Sequence, residues 1–406
     1  MFPLDSDPLG VASVYIAAFR PSDLLFQLFV MSCLSVVMVP FLAGHLAKDK
    51  RDDMNEITTS TLIVFGSGFA VVALILFVLF PVLAPHMVKF TGASLELYIT
   101  FGRIALFTNF LFVAGNTLGQ YLIAEQKYWT YGITPILWSL GTVAGTYLLT
   151  PFIGPLGPII GTVLGTIVYT VLRAVAVVRI GFRWRRPRHS LLHPELKDMG
   201  LLIIPRMIAL GALQLQLLLL DRLASGLGQS MVAVNQFASN FESVVPGIIG
   251  VAIAQSAFSL LSQSAAKGDH QRLRAHLKKG LSFNLLLAIP GAIALAVLAP
   301  VAGWLMHIQG AVLPIFIQSL SIYCIAVPFE SINHIILRTF YSMKNTGTPA
   351  LSTGISSGIA IIAGTLLVPR YGVYALGVAY VIAQVCQTLL LGSTLSLKLR
   401  KATSAS

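Results

Sequence analysis

Charge is scarce in this sequence. Asp, Glu, Lys and Arg make up 10% of its 406 residues, against about 25% in an ordinary soluble domain. Too few ionised groups are present to cover a soluble surface of that size, which excludes the soluble globular class. Cysteine is scarcer still. Cys33, Cys324 and Cys386 all lie in apolar runs, which excludes a disulfide framework and gives no metal-ligand spacing. The chain also has no Walker phosphate loop, no HExxH and no nucleophile elbow. The residues that ATP hydrolysis, zinc-dependent hydrolysis or serine hydrolysis would need are therefore missing. No catalytic residue, resident metal or permanently bound cofactor is expected, and ATP-driven transport would need a partner ATPase.

Long apolar runs take the place of charge. Hydrophobic residues are 56% of the chain and the mean hydropathy is +0.83. Eleven runs, at about 22–46, 60–86, 95–123, 131–150, 153–178, 199–221, 231–264, 281–306, 310–342, 350–368 and 373–397, are near or above the roughly 20 residues that cross a hydrocarbon core. The fold class is therefore all-α, a polytopic membrane protein of about eleven transmembrane helices. Pro151, Pro155 and Pro158 crowd the middle of 131–178, where the count is softest.

The connections alternate in charge. Nineteen of the 27 Lys and Arg residues fall in one set, which includes Lys48, Lys50, Arg51, Lys127, the run RIGFRWRRPRH at 179–189, Arg272, Arg274, Lys344, Lys398 and Arg400. The other set holds only Arg20, Lys89, Arg222 and Arg370. The positive-inside bias makes the first set cytoplasmic, with the C-terminus inside and the N-terminus as given outside. The net charge of +12 needs no nucleic-acid partner, because the run at 179–189 lies between two spans, where anionic headgroups are the nearer partner.

The sequence also repeats. AGTYLLTP at 144–151 returns as AGTLLVP at 363–369, and AKD at 47–49 as AKGD at 266–269, both at an offset of 219. Asn116 and Lys127 return as Asn333 and Lys344 at an offset of 217. Several echoes in one order indicate a duplicated bundle, with halves at 1–198 and 199–406 related by an axis along the membrane normal. The helix at 199–221 would then have its counterpart before residue 1, so a first helix is expected to be missing from the sequence as given.

Ionisable groups inside the apolar runs are costly in lipid, so they are expected to face a bundle interior or a wet cavity. Candidate substrate contacts are Arg20, Asp23, Arg103, Gln216, Asn240, Glu242, Asn333 and Arg338, and candidate ion-coupling groups are Asp221 and Glu242. Several ionisable groups in the runs have a plainer reading. Arg103 and Arg338 are close enough to span ends to snorkel, Arg206 can satisfy a helix-terminal carbonyl, and His334 can be a packing residue. Glu242 is too short to snorkel. A neutral Glu242 in a packed interface is its remaining alternative.

Four segments carry a family resemblance: AFRPSDLLFQLF at 18–29, PRMIALGALQLQLLLLDRLAS at 205–225, the stretch from NQFASNFESVVPGIIG to AAKGD at 235–269, and RTFYSMKNTGTP at 338–349. The first resembles AFRxPNLLRRLF and the last RAFYALKDTRTP, signatures of the MurJ/MviN family of bacterial lipid II flippases within the MOP exporter superfamily. The resemblance covers essentially the whole chain. It implies a V-shaped bundle in the bacterial cytoplasmic membrane with a cationic cavity. There arginines would hold the pyrophosphate of an undecaprenyl-linked glycan, a task suited to their planar forks. It also implies alternating access, driven by a Na+ or H+ gradient or by membrane potential, in a monomer that meets membrane lipids and other cell-envelope synthesis proteins.

This sequence departs from the family pattern at several places. Phe26 and Gln27 stand where the family has two arginines, Met31 replaces a glutamate, and Asn240 takes the place of a cavity arginine. The family's last two helices are expected to be absent after Ser406. Besides lipid II transport, the residues leave open a flippase for another polyprenyl-linked oligosaccharide and a transport-inactive scaffold for envelope partners.

Overall fold

The computed structural model describes Leu4 and residues 7–31, 38–185 and 194–404. Among them the chain is helical and no strand occurs. In order the helices are α1 (Val11–Phe26), α2 (Val39–Ala47), α3 (Arg51–Met87), α4 (Gly92–Ala124), α5 (Tyr128–Ala144), α6 (Thr150–Ile153) and α7 (Gly157–Arg179). They continue with α8 (Pro194–Ser225), α9 (Met231–Val245), α10 (Val251–Ala266), α11 (His270–Val297), α12 (Ala299–Leu305), α13 (Val312–Cys324), α14 (Val327–Ser342), α15 (Gly347–Tyr371) and α16 (Tyr374–Ser404). Two compact units result. One covers Val14–Leu218; the other joins 2–13 to Leu219–Ser406, with the division falling inside α8. Arg186, Arg188, Cys33 and the side chain of Arg206 lie outside the described residues.

Nine stretches among the described residues are long and apolar enough to cross a bilayer, where the sequence predicts eleven. Two expected spans, 131–150 and 153–178, fall inside one stretch, Tyr128–Arg179, and the expected span 22–46 includes residues 32–37, which are not described. Within Tyr128–Arg179 the chain reverses at Gly154, where φ is +59°. A Cβ on Gly141 would lie 2.5 Å from the Gly165 Cα, and one on Gly145 would lie 2.4 Å from the Gly161 Cα. As the position rises on α5 it falls on α7, so the two helices run antiparallel with their backbones in contact. Lipid removes the hydrophobic drive between helices, and close packing of small residues replaces it.

Unit 1 is fastened at its basic end. Arg51 pairs with Glu125 at 2.9 Å and donates to the Ile180 carbonyl, while Arg185 donates to both oxygens of Asp52 at 2.8 Å. Tyr121 Oη donates to Asn55 Oδ1 at 3.0 Å. The basic connections before α3, after α4 and after α7 therefore share one end of this unit, as their common charge predicts.

In unit 2, α10, α11, α14 and α16 enclose an apolar core around Leu261, Leu273, Ile335, Phe340 and Leu391. Pro246 cannot donate the backbone hydrogen bond a regular helix needs, and the chain widens into a π turn over Pro246–Gly250 between α9 and α10. A Cβ on Gly250 would stand 3.0 Å from the Ser331 Cα, so α14 packs close to that turn. Leu4 and residues 7–13 join this unit through Ser230, which donates to the Leu4 carbonyl, and through Ser13 Oγ, which accepts from the Ala233 amide at 3.1 Å.

The repeat is visible in the backbone. Residues with positive φ at Gly10, Gly92, Gln126 and Gly154 recur at Gly228, Gly310, Lys344 and Gly372, each 218 positions later, and Asp49 recurs as Gly268 at 219. The connections at Asp49, Gly92, Gln126 and Gly154 of unit 1 are thus built again in unit 2.

Candidate functional site

In unit 1 the polar constellation centres on α1 and α4. Asn109 Nδ2 donates to Asp23 Oδ1 at 2.9 Å and to Ser22 Oγ at 2.6 Å, while Ser22 Oγ donates to the Ala105 carbonyl at 2.9 Å. Half-buried Arg20 lies near enough for its charge to act on Asp23. Tyr15 Oη bonds Thr162 Oγ1 at 2.7 Å, which joins α1 to α7. Arg103 is turned elsewhere: its Nε donates to the Phe77 carbonyl at 3.1 Å and its guanidinium lies 4.9 Å from the Phe77 ring centre, on an exposed part of α3.

One cation in this unit escaped sequence reasoning. Arg173 is 1% exposed in the middle of α7. Its Nε donates to Thr134 Oγ1 at 2.8 Å, and its two terminal nitrogens donate to the Gly115 and Tyr131 carbonyls at 3.1 Å each. Its carbon lies 4.0 Å from the Tyr169 ring centre and 4.6 Å from that of Tyr131. Neutral oxygens and two aromatic faces hold the charge, a geometry suited to a weakly hydrated guanidinium. A Cβ on Gly119 would come within 2.4 Å of the Arg173 guanidinium, so glycine leaves it room. The available signal was its position: Arg173 belongs to neither charged set of connections and lies well inside an apolar run.

In unit 2 a polar cluster joins α9, α13, α14 and α16. Glu242 is fully buried beside Glu330, and among the described residues neither of its carboxyl oxygens meets hydrogen-bond geometry with a partner. Tyr380 Oη donates to Glu330 Oε2, and His334 Nε2 lies 4.0 Å from Glu330 Oε1. Tyr323 Oη donates to Asn235 Oδ1 at 2.8 Å, and its ring centre lies 5.3 Å from that of Tyr380. A buried carboxyl is costly unless it is neutralised or hydrogen-bonded. A second carboxyl beside it makes the cluster chemically suited to one small cation, H+ or Na+. The sequence singled out Glu242, but it could not pair it with Glu330, 88 positions away, or bring in Tyr380.

The other candidates are dispersed. Asn333 Nδ2 donates to Gln384 Oε1 at 3.0 Å and its Oδ1 accepts from Thr388 at 2.9 Å, tying α14 to α16. Asn240 is exposed and accepts from Gln236 at 2.6 Å. Arg338 lies 5.5 Å from the Phe258 ring centre. Gln216 and Asp221 are both buried on α8. No group of three metal-ligating side chains occurs among the described residues.

Known proteins resemble this chain in sequence and in fold. The family described as lipid II flippase MurJ matches residues 10–404. A probable lipid II flippase MurJ of Bdellovibrio bacteriovorus is 24% identical over 396 residues, which covers 94% of this chain and 75% of that protein. One of Rhizobium meliloti is 26% identical over 410 residues, covering 95% and 74%. Among solved structures, a lipid II flippase MurJ in an inward closed conformation superposes with a TM-score of 0.80 at 18% identity, covering 95% of this chain and 81% of that one. A multidrug resistance MATE transporter of the MOP superfamily in its inward-facing conformation reaches 0.85 at 14% identity, covering 98% and 94%. Because the match runs nearly end to end, the chain belongs to the MurJ lipid II flippase family.

Proposed function

We propose that this protein moves lipid II from the cytoplasmic to the outer leaflet by alternating access between its two halves, 1–198 and 199–406. The observation that carries a transport reading is Glu242, a fully buried carboxyl whose closest polar company is a second carboxyl, Glu330, inside a bundle built to span lipid. A static anchor gains nothing from such a group, whereas a coupled transporter needs a place where a cation binds and leaves. Related folds described as inward-facing and outward-facing MATE transporters support the alternating mechanism by analogy.

In this reading Arg20 and Asp23 meet the polar head, with Gln216, Asn240 and Asn333 as further polar contacts. Glu242 and Glu330, with Asp221 on α8, couple transport to a Na+ or H+ gradient or to membrane potential. The basic connections face the cytoplasm and the protein works as a monomer in the bacterial cytoplasmic membrane. Arg103 and Arg338, each laid on an aromatic ring, fit this role less well than Arg20. One observation favours a second reading. Phe26, Gln27 and Asn240 replace three arginines of the family pattern, which suits a different polyprenyl-linked oligosaccharide.

Purified protein in liposomes, offered lipid II and undecaprenyl-linked glycans separately, tests both readings. Transfer of lipid II that falls on Arg20→Ala substitution is expected. Transfer of the glycans alone would replace the first reading by the second, and transfer of neither would remove both.

A further inference from the structure

The duplication extends to two grooves. In unit 1, α3, α4 and α7 leave an apolar groove of about 610 Å³, and in unit 2, α11, α14 and α16 leave one of about 280 Å³. Their walls correspond at the repeat offset of 218: Leu118 with Ile336, Val177 with Leu395, and Phe182 with Arg400. Each groove lies wholly within its own unit.

The last of those pairs separates the grooves chemically. Unit 1 closes the basic end of its groove with Phe182 and Trp184, amphipathic and apolar rings of the kind that sit at headgroup level. Unit 2 places two guanidinium groups there, Arg274 from α11 and Arg400 from α16. Both are exposed, and neither has an ion pair or hydrogen bond among the described residues. Nearby Arg272 differs, because Asp269 holds it at 3.2 Å. A slot lined by Leu277, Leu281, Ile336 and Leu395 and ended by two uncommitted arginines is complementary to an amphiphile with an anionic head.

We propose that the unit 2 groove binds one anionic glycerophospholipid of the bilayer, with an acyl chain in the slot and its phosphate held between Arg274 and Arg400. The planar guanidinium forks give directed bonds to phosphate oxygens. Gly392 lines the slot, and a Cβ built on it meets nothing within 4 Å, so the floor is open where a chain would lie. The corresponding unit 1 groove has the rings of Phe182 and Trp184 at its mouth and no guanidinium in its lining. The inference does not depend on which glycan lipid the protein transports.

Native mass spectrometry of the purified full chain, titrated with phosphatidylglycerol or with phosphatidylcholine of the same acyl chains, tests it. One phosphatidylglycerol is expected to bind tightly. The double substitution R274Q/R400Q should weaken it roughly 30-fold, on the order of two surface cations' worth of attraction, and leave phosphatidylcholine unchanged. Gly392→Leu, which fills the slot and keeps both charges, should abolish the tight site while thermal unfolding shows a folded protein. Equal affinity for the two lipids, no effect of the double substitution, or the same loss on Arg272→Gln would overturn the proposal.

Discussion

Gly154 and Gly372 adopt the same rare backbone conformation 218 residues apart: φ and ψ are 59° and −135° at the first, 57° and −139° at the second. Gly154 follows α6 and Gly372 follows α15, and each turn leads into the next long helix, α7 or α16. A side chain is poorly tolerated in this region, which only glycine visits without strain. Two independent turns would have no reason to agree this closely; a duplicated hairpin does.

Alanine at either position should therefore cost about 1–3 kcal/mol. Gly132→Ala and Gly354→Ala, helical and facing open space, should be neutral or slightly stabilising. Thermal unfolding in detergent distinguishes the two pairs, and equal shifts would contradict the assigned backbone geometry.

The contact between α5 and α7 makes a second demand. Gly161→Ala would place a methyl carbon 2.5 Å from both the Gly141 carbonyl and the Gly145 Cα. Backbone on both sides cannot yield cheaply, so a loss of about 1–3 kcal/mol is expected, larger for valine. A neutral Gly161→Val in unfolding experiments would mean that the helices do not meet there.

Arg173 should matter for stability. Lysine keeps the charge but cannot reproduce three directed hydrogen bonds or lie flat between Tyr131 and Tyr169. Arg173→Lys should cost roughly 3 kcal/mol while transport per folded molecule stays the same. A stable variant with lost transport would give Arg173 a substrate role instead.

Glu242 should show the opposite pattern. Glutamine preserves the shape and removes the ionisable group, so Glu242→Gln should fold at least as stably as the parent. Gradient-driven accumulation of substrate should then vanish in vesicles, and Glu330→Gln should weaken it. Retained gradient dependence in Glu242→Gln would move ion coupling to another place, with Asp221 the next residue to test.

Much of the fold was legible because lipid imposes simple rules. Apolar length marks the spans, basic residues mark connections that the Arg51–Glu125 and Arg185–Asp52 pairs bring to one end of unit 1, and echoes at 217–219 anticipate the 218-residue spacing of the turns. The stretch Tyr128–Arg179 was harder, since its reversal depends on one glycine conformation with no gap in hydrophobicity. Site chemistry was the least legible. Arg103 has the look of a cavity cation until Phe77 takes it, and Glu242 gains its meaning from Glu330 on another helix. Such partners are set by helix packing across scores of residues, which no local spacing encodes.

The central claim is that a buried cation site in a duplicated bundle drives a lipid-linked glycan across the membrane. Its most direct test is to reconstitute the protein in liposomes that hold lipid II on one leaflet and to measure lipid II reaching the other with and without an imposed ion gradient. Gradient-dependent transfer in the parent and its loss in Glu242→Gln are expected. Transfer no faster than in protein-free liposomes would contradict the account.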